Sequence, residues 1–172
     1  MGNAPDSAGR FGTQVYSDVN HCITVVGSCI ITYSKQPPDV RYFAAWNAVM
    51  ARLAEKQRLS VVTIIDSNAS IPDEATRKLI RTAMQRYAQS IERFSYVVEG
   101  SGFGAAAMRS AISLTNLAAR TPYRQKVFAT VGEAGVWLSR TSSSSSSEVD
   151  ASVLNAVAHA MRATVNGLAR AG

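Results

Sequence analysis

The sequence predicts an α/β domain built on a mixed sheet of four to five strands, with helices packed against the sheet and a tethered C-terminal helix. Three short runs rich in β-branched residues, at 59–65, 94–98 and 126–130, are each followed by a helical pattern. Such runs are typical of buried strands, and strands separated by helices form parallel βα units. Two further β-rich runs near the N-terminus are separated only by Gly27-Ser28, which favours an antiparallel hairpin.

The first element is expected after a flexible lead. Residues 1–13 contain Gly, Pro, Asn and Ser without periodicity, and the α/β domain is placed at 14–140. The segment 15–19 can add a short edge strand. The runs 21–26 and 29–33 then form the hairpin with a type II′ turn, and a single long strand with a bulge at Gly27 is the alternative.

The first helix is expected to start after Pro37-Pro38 and to end near Gln57. Asp39 is its predicted N-cap, because a short acceptor side chain can bond the free N–H groups of the first turn. Apolar residues at helical spacing predict its buried side. They are Phe43, Trp46, Val49, Met50 and Leu53.

The second helix follows the strand at 59–65. Ser70 is its predicted N-cap, Pro72 falls in the first turn, and Asp73 and Glu74 favour the positive helix end. The predicted apolar side consists of Ala75, Leu79, Ile80, Ala83, Met84 and Tyr87. The other side is the densest basic face of the chain, for which a solvated surface is the simplest interpretation. It carries Arg77, Lys78, Arg81 and Arg86.

A third helix is predicted over 103–119, packed through Met108, Ile112, Leu114 and Leu117. The last core strand covers 126–129. Thr130, with Glu133 three residues later, forms a capping box for a short helix that ends near 138.

The C-terminal part consists of a linker and one more helix. Thr141 and six consecutive serines predict a linker over 141–149 that cannot bury enough apolar surface to order itself. The helix predicted at 150–172 carries one narrow apolar seam, formed by Leu154, Val157, Met161, Val165 and Leu168. Since an isolated helix is marginal in water, the seam must bury against the body, a second copy in a homo-oligomer, or another protein.

Composition narrows the classes of function. The chain has 172 residues and a net charge of +6, but no three basic residues are consecutive, so the charge does not favour nucleic-acid binding. The N-terminus lacks a signal-peptide pattern, and no apolar stretch is long enough to span a membrane, so a cytoplasmic location is expected. Cys22 and Cys29 are expected to be buried thiols, although a hairpin could bring them face to face in a disulfide.

A glycine-rich turn is the first candidate for binding chemistry. Gly100, Ser101, Gly102 and Gly104 lie between a strand and a helix, where backbone N–H groups can hold a phosphate. The dinucleotide motif normally lies in the first βα unit and has an acidic residue about 20 positions later. Here Arg120 and Arg124 occupy that region. A tight turn that allows a helix to approach a strand is therefore the competing interpretation.

No catalytic constellation is visible, so the chain is not predicted to be an enzyme. Asp66 ends a strand, where α/β proteins often place chemistry, but it has no nearby histidine or lysine and is expected to cap a loop or helix. His21 is expected in a strand or turn and His159 on the exposed side of the terminal helix, so the two give no metal-ligand spacing, and no metal or other cofactor is predicted.

Three segments resemble the STAS domains, specifically the SpoIIAA-like branch, over about residues 14–138. The first is Ile30-Thr32-Tyr33 leading to Pro38-Asp39, and the second runs from Val61 to Asp66. The third, 126–138, is similar to the closing pattern "vFaT-x-x-EA-x-x-WL" of the family. The resemblance implies a non-enzymatic module that docks to other proteins in bacterial regulation.

In the anti-sigma-factor antagonists of this family, phosphorylation of a serine at the start of the helix after the third core strand switches the partner off. At the matching place this chain has Ile71-Pro72-Asp73-Glu74-Ala75, so acids replace the serine. Ser67 and Ser70 are nearby but out of register. The sequence therefore favours a version of the surface with fixed charge.

The surface that we predict to contact a partner runs from the strand end onto the basic helix. It comprises Asp66, Ser67, Ser70, Asp73, Glu74, Arg77, Lys78 and Arg81. The alternative function is nucleotide or phosphate binding at the glycine-rich turn. A third class, a carrier of a small apolar molecule held beside the sheet, has no positive support in the sequence.

Overall fold

The structure, a computed structural model, describes residues 12–119, 121–140 and 149–171. The elements within these ranges are β1 (Thr13–Ser17), β2 (His21–Val26), β3 (Cys29–Ser34), α1 (Val40–Ala54), β4 (Leu59–Ile65), α2 (Glu74–Arg86), β5 (Ile91–Val98), α3 (Phe103–Ala119), β6 (Arg124–Phe128), α4 (Val131–Arg140) and α5 (Ala151–Ala171). Residues 1–11 of the expected lead and residues 141–148 of the expected linker lie outside the described residues, whereas Thr13, which was assigned to the lead, begins β1.

One sheet contains six strands in the order β1-β2-β3-β4-β5-β6. The pairs β1–β2 and β2–β3 are antiparallel, and β3 to β6 are parallel. The predicted mixed α/β fold is thus confirmed, with more strands than the four to five expected. Val26 pairs with Cys29 across Gly27-Ser28, so the hairpin is confirmed and a single bulged strand is excluded.

The helices form a layer on each face of the sheet. The parallel strands β3 to β6 lie across the sheet in the order in which they occur in the sequence. Right-handed connections between them therefore put α1, α2 and α3 on the same face of the sheet. There Trp46 and Met50 of α1 pack with Ile30 and Val61 of the sheet. On the opposite face, α4 and α5 pack over Ile31 and its neighbours.

Two predictions for α2 are wrong. The N-cap is Asp73, whose carboxylate accepts a 2.7 Å hydrogen bond from the Thr76 N–H, and not Ser70. Ala75 and Leu79 are exposed rather than buried, while Ala83 and Tyr87 are buried as expected. Because the helix starts later than predicted and only its C-terminal half approaches the sheet, its first two turns remain exposed.

Two further helices differ from expectation at particular residues. α1 ends at Ala54, a few residues earlier than predicted, and its Asp39 cap is confirmed. Of its predicted stripe, Trp46, Val49 and Met50 are buried, whereas Phe43 and Leu53 are half-buried. In α3, Leu114 is 69% exposed, although Met108 and Ile112 are half-buried. The capping box of α4 is confirmed, since the Glu133 N–H donates to Thr130 Oγ1 and the Thr130 N–H donates to Glu133 Oε2.

The seam of α5 packs on the body of the domain. Leu154, Val157, Met161 and Val165 are buried in the cluster that contains Ile31 and Val62, whereas Leu168 stays exposed. Val149, which the sequence assigned to the linker, is buried there as well. A homo-oligomer through this seam would require α5 to leave its own sheet, and that prediction is untested.

The two thiols are too far apart for the disulfide that the sequence left open. Cys22 pairs with Tyr33 and Cys29 with Val26, four positions apart along the hairpin. Four steps of a strand amount to about 13 Å, well beyond disulfide reach. Burial raises the pKa of Cys22 to about 11 and that of Cys29 to about 12, so both are inert thiols near neutral pH.

Among the described residues, no helix is long and apolar enough to cross a membrane.

Candidate functional site at the carboxyl edge of the sheet

The carboxyl ends of β4 and β5 bring two loops together. The Glu99 N–H donates to the Ile65 carbonyl at 3.1 Å, which continues the ladder beyond the last strand residue. A Cβ built on Gly100 would stand 3.0 Å from the Ser67 Cβ, so the β4–α2 and β5–α3 loops touch. Both predicted binding regions therefore lie at one edge of the sheet.

Asp66 is turned inward and held by its neighbours. Its Oδ2 accepts a 2.6 Å hydrogen bond from the Tyr33 hydroxyl, and its Oδ1 accepts bonds from the Asn68 backbone N–H and Nδ2. Burial alone would raise the pKa of Asp66, but these hydrogen bonds and nearby Lys35 hold it below its usual range. The prediction that this carboxylate organises a loop is confirmed.

A second polar pair at the same edge joins α5 to the sheet. Arg162 of α5 forms an ion pair with Glu99, and its guanidinium lies 5.9 Å from the centre of the Tyr33 ring. Burial raises the pKa of Tyr33, and donation to Asp66 raises it further. Sequence reasoning missed these residues, because their meeting depends on where α5 packs. The only signal was that Glu99, like Asp66, directly follows a strand.

The predicted partner surface divides into two parts. Asp66 faces Tyr33, whereas the residues from Ser67 to Arg81 line the exposed loop and the start of α2. Ser67 and Ser70 are exposed, and the Ser70 hydroxyl donates to Gln36 Oε1 at 3.3 Å. The side-chain hydrogen bonds of Asp66 go to Tyr33 and Asn68 and not to residues of α2.

The start of α2 carries an ion-pair cluster. Glu74 accepts from Arg77 at 2.7 Å and from Arg81 at 3.3 Å, and all three side chains are largely exposed. Bonding to Arg77 and Arg81 lowers the pKa of Glu74, and the bond from the Thr76 N–H lowers that of Asp73. Exposed pairs of this kind contribute little to folding, so the cluster mainly defines the charge of the surface.

Large apolar side chains are exposed on α2 and at the two loops of this edge. Ile71, in the β4–α2 loop, is 70% exposed, and Leu79 of α2 is 46% exposed. Phe103, the first residue of α3, is 91% exposed. Exposed aliphatic and aromatic residues near one edge are a surface feature that sequence periodicity did not reveal, because Leu79 was assigned to the buried side.

Only the first glycine of the predicted phosphate turn needs to be glycine. Gly100 has a φ of +103°, and the Arg109 guanidinium donates to the carbonyls of Gly100 and Val98. Cβ atoms built on Gly102 and Gly104 would meet no atom within 4 Å, and Ser101 is exposed. The parallel strands never reverse order, so the turn does not lie at the kind of switch point where α/β sheets bind nucleotides.

A separate polar cluster lies around His21, which is buried. Its Nδ1 lies 3.1 Å from Asp18 Oδ1, its Nε2 lies 3.2 Å from the Gln36 carbonyl, and Tyr16 donates to Asp18. These contacts connect the β1–β2 turn to the loop before α1, which is a structural role.

Within the described ranges, no group of three or more His, Cys, Asp or Glu residues could hold a metal ion.

Comparison with known proteins gives no relative: the chain matches no protein-family model, no curated protein and no solved structure.

Proposed function

We propose that this chain is a non-enzymatic protein-interaction module of the STAS type that acts in a bacterial regulatory pathway in the cytoplasm. The order of elements supports the proposal, because an antiparallel hairpin is followed by parallel βα units as the resemblance implied. The pattern at 126–138 supports it as well, since Thr130 and Glu133 form the cap and Leu138 is buried.

The observation that carries the proposal is the exposure of α2. Of the 13 residues of this helix, Ala83 is the one whose side chain is buried. The helix is fixed to the sheet through its last turns, so its first turns present Leu79 and the ion-pair cluster to solvent. A helix with an apolar residue between charges on its free side is suited to bind another protein.

The charge of this surface is fixed rather than switched by phosphorylation. Asp73 and Glu74 stand at the helix start, where the family resemblance would place a phosphorylatable serine. Glu74 is already bonded by Arg77 and Arg81, and Asp73 by the Thr76 N–H. A phosphate is therefore not needed to supply a negative charge at this position.

The state of the reactive groups supports a role without catalysis. Both oxygens of Asp66 accept hydrogen bonds, and both thiols are buried with raised pKa values. A general base or a nucleophile needs an accessible, activated atom.

The test is recovery of a partner from native bacterial lysate by the tagged full chain, with two matched variants. Leu79→Ser changes the α2 surface, and Val136→Ser changes a similarly exposed residue of α4 on the opposite face (46% and 41% exposed). We expect a protein that the wild type and Val136→Ser retain and that Leu79→Ser loses. Equal recovery by both variants, or no retained protein at all, would contradict the proposal.

One observation favours a second candidate, phosphate or nucleotide binding at the β5–α3 turn. The space around the Cα atoms of Gly102 and Gly104 is open, so a ligand can approach the start of α3. A thermal-shift panel of nucleotides tests it: a ligand at 100 times its Kd adds about 2.7 kcal/mol of stability. An unchanged melting temperature across the panel removes this candidate.

A further inference from the structure

Two exposed apolar side chains flank the loops at the carboxyl edge. Phe103 is 91% exposed and Ile71 is 70% exposed, and we refer to them as the edge pair. Phe103 follows the touching residue Gly100 by three positions, and Ile71 follows Ser67 by four. The edge pair therefore extends from two loops that are in contact with each other. Large side chains so exposed contribute little to the core, and together they supply apolar area for binding.

The adjoining turns of α2 carry more positive than negative charge. Residues 73–81 contain three cations, Arg77, Lys78 and Arg81, and two anions, Asp73 and Glu74, so their net charge is +1. Glu74 engages Arg77 and Arg81. Lys78 is exposed and has no ion pair within the ranges that the structure describes, so its charge is the one most available to a partner.

We propose that the edge pair and Lys78 form one interface, which binds a protein surface that combines an apolar pocket with carboxylates. Phe103 and Ile71 enter the pocket, and a carboxylate of the partner meets Lys78. This inference rests on the proposed docking function and names the chemistry of the partner. It also extends the interface beyond α2, onto the β5–α3 turn.

The charges at this edge favour a protein over an anionic membrane. Asp73 and Glu74 lie between Ile71 and the basic turn, and they would be repelled by anionic lipid headgroups. A membrane-surface helix also needs a continuous apolar face, and α2 intersperses Leu79 with charged residues. A protein can place a cation opposite each acid and a carboxylate opposite Lys78, which a bilayer cannot do.

The experiment begins with photocrosslinking from position 103. The full chain with the photoreactive analogue p-benzoylphenylalanine in place of Phe103 is exposed to native lysate, and the crosslinked protein is identified and purified. Its affinity is then measured for the wild type, Phe103→Ser, Lys78→Glu and two controls. The controls are Leu114→Ser, an exposed residue farther along α3, and Arg52→Glu, an exposed cation of α1.

We expect Phe103→Ser and Lys78→Glu each to weaken binding about tenfold or more, and added salt to weaken binding of the wild type. The controls should bind as the wild type does. Equal affinity of Phe103→Ser and the wild type overturns the inference. So does Phe103-dependent binding to phosphatidylserine vesicles without a crosslinked protein.

The outcomes separate this inference from the proposed function. If a partner loses affinity for Leu79→Ser but not for Phe103→Ser or Lys78→Glu, the docking function stands and the edge-pair interface is wrong. If no captured protein distinguishes any of these variants from the wild type, both fail.

Discussion

Asp66 shows how one side chain can connect the end of a strand to the loop that follows it. Its carboxylate is bonded on one side by Tyr33 of β3 and on the other by Asn68 of the following loop. The strand end is thereby connected to the loop that leads to α2. The sequence showed Asp66 at a strand end, but not its partner, since Tyr33 is 33 residues away and reaches it only because β3 and β4 are adjacent.

The ionised form of Asp66 should contribute to stability near neutral pH. Its folded pKa is lowered, so this contribution is complete above the unfolded pKa of about 3.9 and is lost as pH falls through the folded value. We expect Asp66→Asn to destabilise the fold by about 1 kcal/mol at pH 7 and to reduce the loss of stability between about pH 5 and pH 3. Urea unfolding across this pH range measures both effects, with the exposed Glu55→Gln as control. If Asp66→Asn loses as much stability in acid as the wild type does, the assignment is refuted.

Gly100 should be the one glycine of its turn that resists substitution. Its φ of +103° is unfavourable for other residues, and a Cβ would stand 3.0 Å from the Ser67 Cβ. We expect Gly100→Ala to lower the free energy of unfolding by about 1–3 kcal/mol. Gly102→Ala is the matched control, with a change within about 0.5 kcal/mol because its surroundings are open. Equal effects of the two substitutions would show that this backbone conformation is not required.

At the scale of elements, the strands with continuous apolar runs were the most predictable. β4 and β5 lie between two helical layers, so residues on both of their faces are buried. Their β-branched runs at 59–65 and 94–98 made them recognisable in the sequence. β1 lies at an edge and is partly exposed, so its sequence barely differs from a loop. The start of α2 was misplaced because Ser70 and Asp73 are both good caps, and local sequence does not decide between them.

The docking of α5 was left open by its sequence, because an apolar seam does not specify what covers it. In the structure the start of α5 lies very close to Gly135 of α4. A Cβ at this position would stand 2.4 Å from the Ala151 Cα, so the two helices approach more closely than any side chain permits. Gly135 lies within the segment 126–138, which resembles the closing pattern of the STAS domains. The need for a glycine at this position is apparent only when α5 is packed against α4.

Gly135→Ala should therefore weaken the docking of α5. We expect a loss of about 1–3 kcal/mol in the free energy of unfolding, because the added methyl group meets backbone rather than a movable side chain. Gly132→Ala, whose Cβ would lie 3.8 Å from the nearest atom, is the matched control and should be neutral or stabilising by up to about 1 kcal/mol. Chemical unfolding of both variants tests this, and a stable Gly135→Ala protein would contradict the close helix contact.

For the whole molecule, the two faces of the sheet depend on different parts of the chain. The face under α1 and α2 is covered by residues that precede β6, whereas much of the opposite face is covered by α5 alone. The predicted architecture of residues 14–140 was therefore right about the mixed sheet, apart from its number of strands, but it left open what covers one face. The candidate surface was predictable as a set of charges. Its exposed apolar residues were not, because exposure depends on how far each helix lies from the sheet.

A chain that ends at Arg140 should be much less stable than the full chain. Removal of α5 would expose Ile31, Val62 and Ile64 to water, at about 25 cal/mol per Å² of apolar surface. We expect a lower melting temperature and aggregation, as measured by thermal unfolding and light scattering. Melting and oligomeric state equal to those of the full chain would show that α5 is not needed on the sheet.

We propose that this protein docks to a partner through the start of α2. Hydrogen exchange of the full chain, alone and saturated with its captured partner, tests this most directly. We expect slower exchange of backbone amides within residues 66–86, extending into the β5–α3 turn, and no change in α4. Protection confined to α4 and α5, with unchanged exchange over 66–86, would contradict the claim.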